Sequence, residues 1–159
     1  MSQKSKQELF ASLPSSVGPR LEELKDALVS TLGGDLKAVL VFGSAVRGDF
    51  RPGHSDVEVM IVLETAATEK LTAIANALAL ARFSARVEPM ILTTAEIPRA
   101  ADVFPLLYDG IRHSHTVLHG EDPFSALQIS DRHRRLRIEQ ELRETQIRLR
   151  RVVADTLAQ

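Results

Sequence analysis

Asp56 and Glu58 stand two residues apart in the run Ser55-Asp56-Val57-Glu58, directly ahead of the apolar stretch Val59 to Leu63. Side chains on a strand alternate between faces, so both carboxylates project from the same side. Placed side by side they repel unless a cation lies between them. Hard divalent ions with oxygen ligands, above all Mg²⁺, suit that arrangement. A solvated strand end would carry the same residues with no metal. Earlier in the chain, Gly43-Ser44 breaks a first apolar run and enters what reads as a short turn of helix. Such a corner turns backbone N–H groups and a hydroxyl toward an anion. Glycine there lets the backbone approach a phosphate closely. Arg47 follows and can grip a phosphate through its planar fork, while Ser55 caps or orients the loop before Asp56. A plain strand-to-helix turn with a surface arginine is the alternative reading of this segment.

A phosphate cradle beside a carboxylate pair is what nucleotidyl transfer from a Mg²⁺-bound triphosphate requires. Gly43-Ser44, Arg47-Gly48 and Ser55-Asp56-Val57-Glu58 together resemble the spaced signature of the polymerase-beta-like nucleotidyltransferases. The resemblance implies a mixed sheet flanked by helices, with Mg²⁺ as cofactor and a nucleoside triphosphate as substrate. Members of that family commonly place aspartate at the second carboxylate, where this chain has Glu58. The longer side chain carries its oxygens outward by one C–C bond, so the coordination geometry must adjust. The kanamycin-type antibiotic nucleotidyltransferases are similar here, with an S-D-I-E-type motif. The family also draws a third carboxylate from a neighbouring strand. Glu88, inside RVEPMIL, is the natural candidate, either as metal ligand or as general base toward an acceptor hydroxyl. The alternative has Glu88 turned to solvent, because a carboxylate is costly to bury unpaired. VLHGEDP, residues 117 to 123, resembles the VLYG-x-x-P segment that follows the catalytic core in antibiotic-type relatives.

The elements that must hold these residues follow from periodicity. A polar lead with a short first helix precedes Ser15-Ser16, an N-cap for a helix with Leu21, Leu24, Leu28 and Leu32 at helical spacing, which Gly33-Gly34 closes. Leu36 to Phe42 reads as a buried strand, Asp56 to Leu63 as a second, and Ala66 to Ala81 as a helix. Arg86 to Leu92 is a third strand, with Pro89 favouring an edge or a bulge. Thr93-Thr94 with Glu96 caps a helix near Ile97 to Leu107, and His115 to His119 forms a small strand. Ser125 to about Ala158 reads as one long helix. The fold class is therefore α/β (α+β), a mixed sheet flanked by helices with a long C-terminal helix. The expected division is a nucleotidyltransferase core over 1–122 and a packing or oligomerisation helix over 123–159.

The chain has 159 residues and a net charge of -1, which argues against binding nucleic acid through bulk electrostatics. Aromatic residues make up only 4%, too few for single-strand stacking platforms. There are no cysteines, hence no disulfide or thiolate metal site. His113, His115 and His119 are spaced like ligands but lack an obvious fourth, and they read as a solvated edge. No apolar run is long enough to cross a bilayer, and Met1 to Glu8 lacks the apolar core of a signal peptide, so a cytoplasmic protein is expected. In the terminal helix, Ile138, Leu142, Leu149 and Val152 or Val153 form an apolar stripe near seam spacing. Arg132, Arg134, Arg135 and Arg137 alternate with Glu139, Glu141 and Glu144, which favours i,i+4 pairing on a solvated face.

Two functions are carried forward. The first is Mg²⁺-dependent transfer of a nucleoside monophosphate, AMP by preference, from a triphosphate to a hydroxyl of an aminoglycoside-like small molecule or a protein. Asp56, Glu58 and Glu88 would serve as metal and catalytic residues, with Gly43, Ser44, Arg47 and Ser55 on the nucleotide. The minimal nucleotidyltransferases that partner a helical toxin resemble this chain in size, so the terminal helix could meet such a partner or a second copy. In longer relatives a helical domain follows here and helps form the acceptor site, so the chain could also be a fragment. The second is an inactive binding module of the same fold, antitoxin-like. A nucleic-acid polymerase relative is a third reading, which the charge balance disfavours.

Overall fold

The computed structural model describes residues 5–157. Helix α1 (Lys6–Ser12) opens on a capping box: the Ser5 hydroxyl accepts from Glu8 N–H while the Glu8 carboxylate accepts from Ser5 N–H. Helix α2 (Val17–Leu32) buries Leu21, Leu24 and Leu28 on one stripe, and a 3₁₀ turn (Gly33–Asp35) delivers the chain to strand β1 (Leu36–Phe42). A one-turn helix α3 (Ser44–Arg47) follows, then β2 (Val57–Leu63), α4 (Thr68–Ala85) and β3 (Val87–Thr93). Helices α5 (Glu96–Val103) and α6 (Pro105–His113), strand β4 (His115–Gly120) and the long helix α7 (Asp131–Leu157) complete the order.

The sheet runs β3-β2-β1-β4. β1 is antiparallel to both of its neighbours, while β2 and β3 are parallel, joined across one face by α4. It is the mixed sheet expected. Alternation divides the core into two layers. Val39, Val41, Val57, Val59, Ile61 and Leu63 face α1, α2 and α4. Leu40, Phe42, Met60 and Val62 face α5, α6 and the segment after β4, through Ile97, Tyr108, Ile111 and Phe124. Apolar residues on both faces are the reason β1 and β2 read as continuous apolar runs rather than alternating ones.

Several elements differ from the sequence expectation. Helix α4 reaches Ala85, four residues past the expected end. Pro89 sits in regular parallel register opposite Val59 on the edge strand, with no bulge. The single helix expected over Ile97 to Leu107 is two helices that meet at Phe104, because Pro105 bars the helical conformation for the residue before it and starts a new helix at its own first position. The Glu96 carboxylate accepts from Thr93 N–H and Oγ at 2.7 and 2.9 Å, and these two bonds hold it below the usual carboxylate range. Helix α7 begins at Asp131, not Ser125, since Phe124 and Ile129 are drawn into the core first. The last residue assigned to it from sequence, Ala158, lies outside the described residues.

His115 is fully buried rather than on a solvated edge. Its Nδ1 lies 2.8 Å from Ile111 O and its Nε2 3.1 Å from Asp122 Oδ1, and its ring packs edge-on against Phe124 at 5.3 Å. These contacts pin the β4-to-α7 segment. Phe124→Ala should therefore cost about 3–5 kcal/mol, read as a lowered denaturant midpoint at unchanged slope.

Candidate functional site

Register decides which of the predicted residues meet. Phe42 pairs with Glu58 across β1 and β2, and Glu58 pairs with Glu88 across β2 and β3. Glu58 and Glu88 therefore stand side by side on neighbouring strands, at the end of the sheet where Gly43 follows β1. Because Val57 and Val59 point into one core layer and Met60 and Val62 into the other, Glu58 belongs to the Met60 face.

Gly43 leaves β1 with φ 72° and ψ -146°, a conformation strongly unfavourable for residues with a Cβ. A Cβ there would lie 1.5 Å from Glu58 Oε2. Glycine is thus required twice, by its backbone and by the carboxylate that occupies the space. The glycine–serine corner and the acidic strand converge. Ser44 opens α3, half-buried, and Gly43 O accepts from Val46 and Arg47 N–H.

Arg47 turns away to Asp49, at 3.6 Å, and is more than half exposed. Ser55 Oγ accepts from Arg51 N–H at 3.0 Å, closing the loop that delivers Asp56 to the mouth of β2.

Two of the three carboxylates already hold cationic partners. Asp56 Oδ1 is 2.8 Å from Arg86 Nη2, and Glu88 Oε1 is 3.3 Å from Arg82 Nη2. Sequence reasoning missed both arginines. Arg82 lies beyond the expected helix end and Arg86 was placed on the strand. Instead Arg86 caps α4 in the left-handed conformation, φ 53°. Its N–H donates to Arg82 O and its carbonyl accepts from Val57 N–H at 2.9 Å, so the side chain is launched beside Asp56. The available signal was two basic residues at i,i+4, one helical turn apart, directly ahead of the acidic strand.

All four side chains in these pairs are half exposed or more. An exposed pair of this kind contributes about 0–1 kcal/mol, so either can be exchanged for a stronger partner. Among the described residues, no three His, Asp or Glu side chains are gathered closely enough to hold a metal ion as they stand. In kind, the donors fit a hard divalent cation: carboxylate oxygens on neighbouring strands, one of them seated where a Cβ would otherwise be.

A cavity of about 530 Å³ lies at the opposite end of the sheet, walled by Ala38, Val62, Ile97, Pro98, Pro123 and Leu127. None of the predicted residues lines it. The cavity is also lined by Lys37, Glu64, Glu121 and Asp122, so both ends carry ionisable groups, and the carboxylate row is the end where the glycine–serine corner lies. Among the described residues, no helix is long and apolar enough to cross a membrane.

The family described as "Nucleotidyltransferase domain" matches residues 21–149. A search of curated proteins finds no match. Among solved structures, the spectinomycin adenyltransferase AAD(9) of Enterococcus faecialis, crystallised with ATP and spectinomycin, is similar at a TM-score of 0.58 and 16% identity. The alignment covers 79% of this chain and 66% of that one, just under two thirds of its length. At that identity the likeness is one of fold. A Sulfolobus solfataricus protein described as a nucleotidyltransferase aligns over 55% of this chain and 81% of its own, at 22% identity and a TM-score of 0.35, too low to weigh.

Proposed function

Because the chain belongs to the nucleotidyltransferase domain family, we propose that it transfers a nucleoside monophosphate, AMP from ATP, to a hydroxyl group and releases pyrophosphate. The observation that carries this reading is the seating of the Glu58 carboxylate against Gly43, which sets the glycine–serine corner beside the acidic strand.

Asp56 and Glu58 would hold Mg²⁺, with Glu88 as a further ligand or as the base that receives the acceptor's proton. The cation, when bound, supplies charge neutralisation on the phosphate oxygens. The Gly43-Ser44 corner orients the triphosphate, and Ser55 fixes the loop from which Asp56 projects. Arg47 can turn from Asp49 to the phosphates, since that contact is long and exposed. The acceptor is an aminoglycoside-like small molecule or a protein. The fold shared with AAD(9), whose crystals hold ATP and spectinomycin, supports ATP and a small-molecule acceptor. The exposed apolar residues of α7, Leu142, Leu149 and Val153 among them, suit a second copy or a helical protein partner. Helix α7 would then form the assembly element beside a core that takes in Phe124 and Ile129.

One observation favours a second reading, a binding module without turnover: Arg86 already neutralises Asp56. Calorimetry separates the two. Binding of ATP that requires Mg²⁺, together with pyrophosphate release when acceptors are supplied, is expected. ATP binding indifferent to Mg²⁺, with no pyrophosphate released, would support the module instead.

A further inference from the structure

We propose that Arg82 and Arg86 are exchangeable counter-ions, covering the carboxylate row while it lacks a metal and passing to the nucleotide's phosphate chain when the metal takes their place. This rests on the nucleotidyltransferase reading given above. Asp56, Glu58 and Glu88 are brought to one end of the sheet, where Glu58 and Glu88 stand opposite one another on neighbouring strands, and like charges so paired disfavour a sheet unless offset. The offset is supplied from one element, the end of α4. Arg86 takes Asp56 and Arg82 takes Glu88.

The backbone holds the first of these arginines in place more firmly than a surface ion pair needs. Arg86 adopts φ 53°, a region that residues with a Cβ rarely enter, and both its N–H and its carbonyl are bonded, to Arg82 O and Val57 N–H. The guanidinium is the exposed part: it is half open to solvent, and among the described residues its polar contacts are with Asp56 and, at 3.5 Å, with His54 O. The arrangement is a fixed base with a free head.

A divalent cation binding the row must compete with these guanidinium groups, because both seek the same oxygens. Once displaced, the groups remain at the β3 edge, two strand spacings or about 10 Å from the Gly43 corner. A triphosphate entering over the row would lie between a backbone corner on one side and two freed arginines on the other. Planar guanidinium groups bind phosphate in bidentate fashion. The same residues therefore oppose the metal on its own and favour the nucleotide with its metal. An arginine that stayed on its carboxylate would oppose the metal but gain no phosphate contact.

That pair of opposite signs is the test. Manganese binding would be followed by electron paramagnetic resonance on the whole chain without nucleotide, and Mn²⁺–ATP binding by calorimetry. Arg86→Gly is suitable because glycine accepts the left-handed backbone at this position, and Arg82→Ala because alanine suits a helix interior. Each variant should bind Mn²⁺ alone about two- to fivefold more tightly, the range an exposed ion pair can oppose. Each should bind Mn²⁺–ATP about ten- to a hundredfold more weakly, the range of a lost charged hydrogen bond. If both affinities fall together, or neither moves, the exchange is overturned while the parent reading stands. If the unaltered protein binds neither Mn²⁺ nor Mn²⁺–ATP, the parent reading fails and takes this one with it.

Discussion

Asp56→Ala is expected to abolish Mg²⁺-dependent ATP binding and to reduce pyrophosphate release by about a thousandfold or more. Of the three carboxylates, Asp56 is presented by the most specific local structure: the Ser55 hydroxyl closes its loop on Arg51 N–H, and Val57 N–H is tied to Arg86 O immediately after it. A metal clamp on a phosphoryl group contributes several kcal/mol of charge stabilisation, and each 1.36 kcal/mol is a factor of ten in rate. The fold should barely notice. The side chain is 51% exposed and its ion pair with Arg86 is a surface one, so the melting curve should stay within about 0.5 kcal/mol of the unaltered protein. Equal ATP binding and equal turnover in the two proteins would remove Asp56 from the chemistry and with it the transferase reading.

Gly43→Ala should have the second-largest effect, and on two readouts at once. The residue's φ of 72° with ψ of -146° is one that alanine reaches only under strain of about 1–3 kcal/mol. For a chain of this size that lowers the melting temperature by about 2–12 °C. The new methyl group would also sit 1.5 Å from Glu58 Oε2, so the carboxylate must swing out of its seat. A side chain moves more cheaply than a backbone, so the second effect appears in metal and nucleotide binding rather than in stability. Glu58→Gln provides the comparison. It removes the charge without adding volume, and it should weaken metal binding while leaving the melting temperature near that of the unaltered protein. A Gly43→Ala protein with full Mg²⁺–ATP affinity would show that the seating of Glu58 has no part in the site.

The strands β1 and β2 could be read from composition because apolar residues fill both faces, and a buried strand leaves a continuous run that few other elements imitate. The break at Gly43 was legible for a related reason: only a glycine follows an apolar run into that backbone conformation at little cost. Helix ends were less legible. Nothing local stops α4 at Ala81, and the chain carries on to Ala85 until Arg86 takes the left-handed turn that a glycine would normally advertise. The start of α7 was hidden because Phe124 and Ile129 look like helix residues until a core is there to receive them.

What the sequence determined by itself is the chemistry on offer: which side chains carry carboxylates, where glycine frees the backbone, and the alternation that puts Glu58 on one face of a strand. Those properties are local, set by residue type and by the period of two. Only the tertiary structure decided who stands beside whom. The strand register placed Glu58 beside Glu88 and brought its carboxylate against Gly43, and the length of α4 brought Arg82 to Glu88 and Arg86 to Asp56. Pairing across a sheet and the reach of a helix depend on residues far apart in the chain, so no window along it contains them.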